Sequence, residues 1–208
     1  TFKPNSLVSR YRRGEISDQD LEGRDDDDAL QLREVIRYCR RALVTSAGAF
    51  DPWSVDGGFD PSGLVKGWAA DVAALRITEA GCPDVMVAAG GDVTVRGNAS
   101  PETPWVIGLQ HPDNKDAIYG TVSVTDCAVA TSGRYERGDH IVSTTGIAAK
   151  SATVVGPDGA TADALATALL IVGTPGLTWF QRLPHYSGQV VIDERVTSTG
   201  SAFTPSAS

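Results

Sequence analysis

Two segments far apart in the chain, each a turn that leads into a helix, constrain its fold more than any other feature. The first covers residues 59–71 with the sequence FDPSGLVKGWAAD, and the second covers residues 162–167 with the sequence ADALAT. In the second segment Asp163 and Thr167 are four residues apart and therefore share one face of a helix. Mg²⁺ prefers such oxygen ligands, usually next to a substrate phosphate. The two segments predict helix starts that hold a metal ion against a phosphate.

The length and charge of the chain limit the kinds of partner. With 208 residues and 41% hydrophobic content, it can bury one core, so we expect a single domain over 1–208, with residues 1–8 and 195–208 loosely held. A net charge of −8 repels nucleic acid and anionic lipid, so we expect no nucleic-acid partner. The basic cluster of Arg10, Arg12 and Arg13 is too small to reverse this, and we interpret it as a solvated turn.

The cysteines and the hydropathy pattern argue against several further classes of protein and of metal site. Cys39, Cys82 and Cys127 are odd in number and lack CxxC spacing, which argues against a disulfide framework or a zinc site and favours buried small hydrophobic residues. No apolar run is long enough for a membrane segment, and the N-terminal residues lack a signal-peptide core. These features favour a cytoplasmic location.

The helices show clear start and stop signals. Residues 25–28 are four aspartates that precede apolar residues at three- and four-residue steps. Acidic side chains at a helix start are stabilising by about 0.3 to 1 kcal/mol each, so the run is explained by the helix dipole without a metal. A second helix, over 63–80, is rich in small residues, which predicts a close packing partner. A third covers 161–172 and ends at Gly173.

Strands fill most of the remaining sequence. The segment 84–89 predicts a buried strand that runs into Gly90, Gly91 and Asp92, where the glycines permit close approach of a ligand. Three strands in the middle of the chain are expected to be antiparallel neighbours, and they cover 105–110, 119–125 and 127–131. Two more cover 151–155 and 189–193. Runs of strands between helices favour an α+β layered domain with mixed or antiparallel sheets over a doubly wound parallel sheet.

Five motifs in order carry a resemblance to a known family. Besides FDPSGLVKGWAAD and ADALAT, they are GAFD at 48–51, the GGD turn at 90–92, and TSGRYER at 131–137 followed by His140 and Ile141. In this combination the sequence resembles the ApbE-type flavin transferases, which are FAD:protein FMN transferases. The resemblance extends from about Ser9 to Gly173. A G-x-G-x-x-G after the strand at 84–89, which a nicotinamide Rossmann enzyme would show, is not present.

The resemblance implies an activity and a metal site. It implies Mg²⁺-dependent cleavage of the FAD pyrophosphate, transfer of FMN through a phosphoester to a Ser or Thr of an acceptor protein, and release of AMP. It assigns the side chains of Asp163 and Thr167 to the metal, together with main-chain oxygens of Gly63 and Ala166. Taken without the other motifs, Asp163 is more typical of a helix-start residue that accepts from free backbone N–H groups, and the other motifs favour the metal instead.

The resemblance also assigns residues to the FAD site. Tyr11 matches an aromatic side chain that packs on the flavin ring. The other matched positions are Ala49, Phe50, Asp51, Asp60, Lys66, Asp92, Ser132 and Ile141. Phe50 and Ile141 are equally compatible with ordinary core positions, and Asp92 with a plain turn aspartate. A lysine in the first turn of a helix is disfavoured by the dipole, so Lys66 predicts an anionic or carboxylate partner.

An acceptor hydroxyl needs a base to take its proton as it attacks phosphorus. Among His111, His140 and His185, only His140 lies in a family-like motif, so we expect it to be that base.

The sequence departs from the family pattern in two places. The Asp-Pro that often follows His-Ile is absent, since His140 and Ile141 are followed by VSTTG, and the opening strand of the family has no counterpart here.

Two alternative functions would use the same residues as the transferase. One is a Mg²⁺-dependent FAD pyrophosphatase that yields FMN and AMP with water as the acceptor, and a water-excluding acceptor surface would distinguish the transferase from it. The other is a flavin-binding or flavin-delivery protein without catalytic activity. Such a protein predicts FAD binding without AMP release.

Overall fold

The protein is described here from a computed structural model. The structure describes residue 3 and residues 5–133 and 149–203. Within these residues, helices pack on antiparallel sheets, as the sequence predicts for an α+β fold. None of the described helices is both long enough and apolar enough to cross a membrane.

Five α-helices carry most of the packing in the described part of the chain. Two short ones come first, followed by three longer ones, and their bounds are α1 Leu7–Arg12, α2 Asp18–Glu22, α3 Asp27–Thr45, α4 Ser62–Glu79 and α5 Gly159–Val172. A 3₁₀ helix, Thr174–Arg182, follows α5. The acidic run caps α3 as expected, because the Asp26 carboxylate accepts from the Ala29 backbone N–H at 3.2 Å. Helix α5 ends at Gly173, whose φ of 73° is a backbone conformation that favours glycine.

Eight strands form two antiparallel sheets in the described residues. Their bounds are β1 Val85–Ala89, β2 Asp92–Arg96, β3 Trp105–His111, β4 Asn114–Val124, β5 Ala128–Gly133, β6 Ser151–Gly156, β7 Ser187–Ile192 and β8 Arg195–Thr199. The larger sheet has the order β1-β2-β5-β6-β7-β8, and β3 pairs with β4 as a separate hairpin. Helix α5 packs on the larger sheet through Ala130, Val154 and Leu165, and the β3–β4 hairpin covers Val129 and Val155.

Three strand predictions needed correction. The segment 127–131 was expected beside 119–125, but β5 instead pairs with β2 and β6 in the larger sheet. Alternation of residues predicts a strand but not its partner, and here residues Thr125–Cys127 carry the chain from one sheet to the other. Strand β2 was not predicted; the predicted GGD turn is the hairpin turn between β1 and β2, and its Asp92 is the first residue of β2. Strand β8 was also missed, and Arg195–Thr199, expected to be loosely held, pairs with β7.

The cysteine prediction holds in part. All three cysteines are free, as predicted, and Cys39 is buried in the core. Cys82 is exposed and Cys127 is partly exposed, so the prediction of three buried residues is wrong. Cys82 lies just after Gly81, at the turn that ends α4, where the backbone leaves the core.

Candidate functional site

Helices α4 and α5 touch through glycine. An ideal Cβ on Gly67 would lie 2.0 Å from the carbonyl oxygen of Gly159, and one on Gly159 would lie 2.6 Å from the carbonyl oxygen of Gly67. Any side chain at either position would therefore overlap the backbone of the other helix. The small residues in the 63–80 pattern predicted such a close partner, and this prediction is confirmed.

Three contacts, one helical turn apart, connect the two helices at this crossing. They join Asp71 to Gly159, Gly67 to Asp163, and Gly63 to Thr167. Residue numbers rise along α4 while they fall along α5, so the helices run antiparallel here. We call these three contacts the polar ladder. The four-residue spacing on each helix places all six residues along one line of contact.

The Asp71 end of the polar ladder is saturated with hydrogen bonds. Oδ2 of Asp71 accepts from the backbone N–H groups of Gly159 at 2.6 Å and Ala160 at 3.3 Å, and Oδ1 accepts from the Thr94 hydroxyl at 2.8 Å. The first amides of a helix have no intrahelical acceptor, so Asp71 supplies one across the helix pair. Burial raises the pKa of Asp71, and these hydrogen bonds oppose that rise.

Asp163 occupies the middle contact and is bonded through only one oxygen. The side chain is completely buried, and Oδ2 accepts from the Gly67 N–H at 3.3 Å. Oδ1 has no hydrogen-bond partner among the described residues. A buried carboxylate oxygen without a donor is costly, so it indicates a missing ligand or proton.

Thr167 makes the last contact of the polar ladder, and we call this contact together with that of Asp163 the open end. Its hydroxyl donates to the Gly63 carbonyl oxygen over a long 3.4 Å and lies 3.2 Å from the Ser132 hydroxyl at the end of β5. Gly63, Ser132 and Thr167 are all buried. Ala166 precedes Thr167 on α5 and is completely buried. The structure thus gathers a carboxylate, hydroxyls and a carbonyl at one place.

Asp92 and Lys66 form an ion pair beside Asp163. Lys66 Nζ lies 3.2 Å from Asp92 Oδ2 and donates to the Gly90 carbonyl oxygen at 3.4 Å. Asp92 is buried at the start of β2, and its Oδ1 accepts from the Thr131 N–H at 3.1 Å. The predicted carboxylate partner of Lys66 is confirmed. Lys66 lies in the second turn of α4, since the helix begins at Ser62.

Burial and like charge set the protonation of the two carboxyls. Desolvation, and after it the nearby Asp92 carboxylate, raise the pKa of Asp163 to about 7, although Lys66 opposes the rise. Desolvation also raises the pKa of Asp92, and its ion pair with Lys66 opposes this. Two buried carboxyls next to one lysine leave an excess of negative charge when both ionise. A bound cation would relieve that excess.

The donor set fits a hard divalent cation. No cluster of three or more His, Cys, Asp and Glu side chains suited to a metal occurs in the described residues. Mg²⁺ is instead bound by one or two carboxylates with other oxygens, water and substrate phosphates. The unpartnered Asp163 oxygen, with the Thr167 hydroxyl and the Gly63 carbonyl one helical turn along the two helices, has the chemistry of such a site.

The predicted flavin residues gather in the helical layer. The Tyr11 ring packs edge-on to Phe59 at 5.1 Å between centroids, and its hydroxyl donates to Asp18 at 3.2 Å. Ala49 and Phe50 pack in the same core cluster as Phe59, and this cluster also includes Leu64, next to Gly63. The structure therefore connects these residues to the start of α4 through apolar packing.

Asp51 and Asp60 organise the loop before α4. Asp51 accepts from the Trp53 N–H at 2.9 Å, and Asp60 accepts from the Ser62 N–H at 3.0 Å. Arg12 approaches Asp60 at 3.7 Å and donates to the Gly57 and Asp56 carbonyl oxygens. The basic cluster is thus not a solvated turn, because Arg10 and Arg12 belong to α1 and Arg12 holds this loop.

Two predicted residues lie outside the described part of the chain. They are His140, the expected base, and Ile141.

Asp71 and Gly159 were not predicted as site residues, although each helix carries site residues at a four-residue spacing. On α4 these are Gly63, Gly67 and Asp71, and on α5 they are Gly159, Asp163 and Thr167. That shared spacing, placed on two helices rich in small residues, is the signal that would have paired them.

Comparison with known proteins identifies the family. The model of the ApbE family matches residues 54–188, and the chain belongs to this family. Among curated relatives, the FAD:protein FMN transferase of Vibrio cholerae is 33% identical over 128 residues, which is 55% of this chain and 38% of that protein. The enzyme of the same name from Rhodobacter capsulatus is 31% identical over 159 residues, 69% of this chain and 29% of that protein. The matches thus span about a third of these relatives' lengths.

Solved structures share the fold. The flavin transferase ApbE from Vibrio cholerae superposes with a TM-score of 0.71 at 21% identity, over 96% of this chain and 82% of that chain. The ApbE protein from Thermotoga maritima gives a TM-score of 0.70 at 20% identity, over 94% and 91% of the two chains. The predicted α+β, ApbE-like fold is therefore confirmed.

Proposed function

We propose that this protein, as one flavin transferase domain over 1–208, transfers FMN from FAD to a Ser or Thr hydroxyl of an acceptor protein and releases AMP, with Mg²⁺ as cofactor. The observation that carries the proposal is the open end of the polar ladder, where the buried Oδ1 of Asp163 has no partner among the described residues. Membership of the ApbE family and the names of the curated relatives support the flavin chemistry.

The reaction breaks one phosphoanhydride bond and forms one phosphoester. The acceptor oxygen attacks the phosphorus of the FMN half, the bond to the bridging oxygen breaks, and AMP leaves with that oxygen. The acceptor proton passes to a base, for which His140 is our candidate. Charge accumulates on the leaving phosphate as the bridging bond breaks, so stabilising that charge lowers the barrier.

The residues at and beside the open end of the polar ladder have separate tasks in this proposal. Asp163, Thr167 and the carbonyls of Gly63 and Ala166 would hold Mg²⁺. When bound, the ion neutralises pyrophosphate oxygens and orients them. Lys66 adds positive charge near the same place and holds the Asp92 carboxylate. Because these groups are preset by the two helices, they need little reorganisation during the reaction.

The flavin half would lie towards the helical layer. Tyr11, Ala49, Phe50, Asp51 and Asp60 would line it by resemblance to the family, and their apolar cluster is continuous with Leu64 at the start of α4. Aromatic and apolar side chains suit an isoalloxazine ring, which is flat and largely apolar. By the same resemblance, Ser132, Asp92 and Ile141 would also belong to the FAD site, with Asp92 accepting from the ribose or adenine.

The test is to incubate the protein with FAD and Mg²⁺, with and without Ser- or Thr-containing acceptor peptides. AMP is followed by chromatography and the acceptor by mass spectrometry. The proposal expects AMP together with one FMN added to the acceptor, and loss of both products in Asp163→Asn but not in the control Thr94→Val. AMP with free FMN regardless of the acceptor would instead mean a pyrophosphatase, and FAD binding without AMP a binding protein.

A further inference from the structure

We propose that Asp71 is a positioning residue of the site. By fixing the first turn of α5 on α4, it sets where Asp163 and Thr167 lie relative to Gly63. This inference rests on the proposed function for its catalytic meaning, but its structural part stands on the contacts of the polar ladder. The hydrogen bonds of Asp71 go to Thr94, Gly159 and Ala160, so Asp71 is a positioning residue and not a catalytic one.

The bonding pattern at the crossing is reciprocal. Asp71 of α4 accepts from the N–H of Gly159, which lies four residues before Asp163. Asp163 of α5 accepts from the N–H of Gly67, which lies four residues before Asp71. Each aspartate therefore holds the glycine that precedes the other aspartate by one helical turn. A sliding movement of α5 along α4 would break both contacts together.

Through the glycine contact, a displacement at one point of the helix pair moves the neighbouring residues of both helices. Because Gly67 and Gly159 approach with no room for a Cβ, the two backbones lie directly against each other. Packed backbone has little freedom to adjust when its neighbour moves, so a displacement at the Asp71 end reaches Asp163 within one turn. Asp71 accepts three hydrogen bonds there, which makes it the firmest anchor of the ladder.

Asp158 offers a matched control. It is the N-cap of α5 and accepts from the Thr161 N–H at 2.7 Å. Its carboxylate also accepts from the Tyr186 hydroxyl. Loss of the carboxylate removes that bond and a helix cap next to the amides that Asp71 holds, but Asp158 takes part in none of the three contacts of the polar ladder. A purely structural role for Asp71 predicts that both residues behave alike, whereas a positioning role predicts that they differ.

The first measurement needs no ligand. The backbone N–H of Gly67 donates to Asp163, so its NMR chemical shift reports whether the two are aligned. We expect Asp71→Ala to move the Gly67 signal in the same direction as Asp163→Asn does, Asp71→Asn to move it less, and Asp158→Ala to leave it unchanged. An unchanged Gly67 signal in folded Asp71→Ala overturns the proposal, as does an equal change in Asp158→Ala. If Asp71→Ala does not fold, Asp71→Asn decides in the same way.

The second measurement connects the alignment to the site. FAD binding is titrated by calorimetry at several Mg²⁺ concentrations. Residues that orient metal ligands typically account for about 10- to 100-fold in metal affinity. We therefore expect the Mg²⁺-dependent part of FAD affinity to fall at least about tenfold in Asp71→Asn and less than about threefold in Asp158→Ala. Equal losses overturn the positioning role. If the wild-type protein transfers no FMN, the proposed function fails, while the Gly67 signal still decides the role of Asp71.

Discussion

The two ends of the polar ladder use the same kind of residue for different purposes. At one end, both oxygens of Asp71 accept hydrogen bonds from Gly159, Ala160 and Thr94. One turn away, Asp163 is more deeply buried, yet Oδ1 has no partner within the described part of the chain. A saturated buried carboxylate stabilises the fold, and an unsaturated one destabilises it until a ligand or proton arrives.

The difference between Asp71 and Asp163 shows how the fold can maintain a site that is energetically unfavourable by itself. The negative charge of Asp163 is opposed by burial and by Asp92, so the open end is an unfavourable arrangement by itself. Three hydrogen bonds at Asp71 and the glycine contact keep the helices in place nonetheless. Unfavourable local arrangements of this kind persist only where the surrounding structure determines them.

The largest expected effect is on activity at the open end. Asp163→Asn keeps the shape of the side chain but removes its charge. We expect FMN transfer to fall by at least about 10²- to 10³-fold, the range for loss of one preorganised electrostatic contact, with no loss of thermal stability. Rate measurements over a range of Mg²⁺ concentrations, together with thermal unfolding, check this. Near-normal transfer by this variant would remove Asp163 from the site.

The next effect is a dependence of stability on pH. The folded protein holds the Asp163 proton up to a pKa of about 7, whereas the unfolded chain releases it near pH 4. The folded state therefore binds more protons between these values, and the free energy of unfolding falls as the pH rises, by about 2 to 4 kcal/mol. Urea unfolding at pH 5 and pH 8 measures this. Asp163→Asn should flatten the dependence, and an equal slope in that variant contradicts the assignment.

At the Asp71 end of the polar ladder, in contrast to Asp163→Asn, we expect a substitution to lower the stability of the protein. Asp71→Ala leaves two backbone N–H groups of α5 and the Thr94 hydroxyl without their acceptor. We expect the free energy of unfolding to fall by about 2 to 3 kcal/mol, since unsatisfied buried donors cost about 1 to 3 kcal/mol each and water will reach some of them. Chemical denaturation provides the value. Wild-type stability in this variant would show that the two ends do not differ.

Gly67→Ala acts at the glycine contact between α4 and α5. Its Cβ would overlap the Gly159 carbonyl oxygen, so α5 must move away from α4. We expect a loss of about 1 to 2 kcal/mol, because overpacking exceeds the gain in helix propensity, together with weaker Mg²⁺-dependent FAD binding. Gly81→Ala, where no atom lies within 4 Å of the added Cβ but φ is 98°, controls for a glycine replacement away from the contact. Undiminished FAD binding in Gly67→Ala would contradict coupling through the glycine contact.

The smallest effect is expected at Thr94. Thr94→Val removes one of the three donors to Asp71 but leaves both α5 amides bonded. We expect a loss of about 1 kcal/mol, typical of one buried hydrogen bond, and unchanged FMN transfer. Unfolding and initial rates are measured on the same preparation. A large loss of transfer would mean that the Thr94 contact, rather than the amides, positions α5.

Much of the fold could be predicted from residues near one another in sequence. Helix α3 has an acidic cap and apolar residues at helical spacing, and α4 and α5 have clear ends, so their positions were predicted closely. Strand partners could not be predicted, because pairing joins distant residues. For β5, alternation gave a strand but not the sheet to which it belongs.

In the candidate site, too, features within one helix could be predicted, whereas contacts between distant residues could not. The four-residue spacing of Asp163 and Thr167 gave one face of one helix, and the resemblance to the family added Gly63. The role of Asp71 escaped, because its acceptor bonds reach Gly159, 88 residues away in sequence. Tyr11 was placed by resemblance alone, and its contacts with Phe59 and Asp18 depend on how α1 packs.

The most direct test of the account is the location of a bound divalent ion. Crystals grown with FAD and Mn²⁺, a stand-in for Mg²⁺ with usable anomalous scattering, would locate the ion without assumptions about its ligands. We expect an anomalous peak at the open end of the polar ladder, in contact with Asp163 and Thr167 and with a pyrophosphate oxygen of FAD. FAD bound with its pyrophosphate elsewhere, or a metal peak away from Asp163, would contradict it.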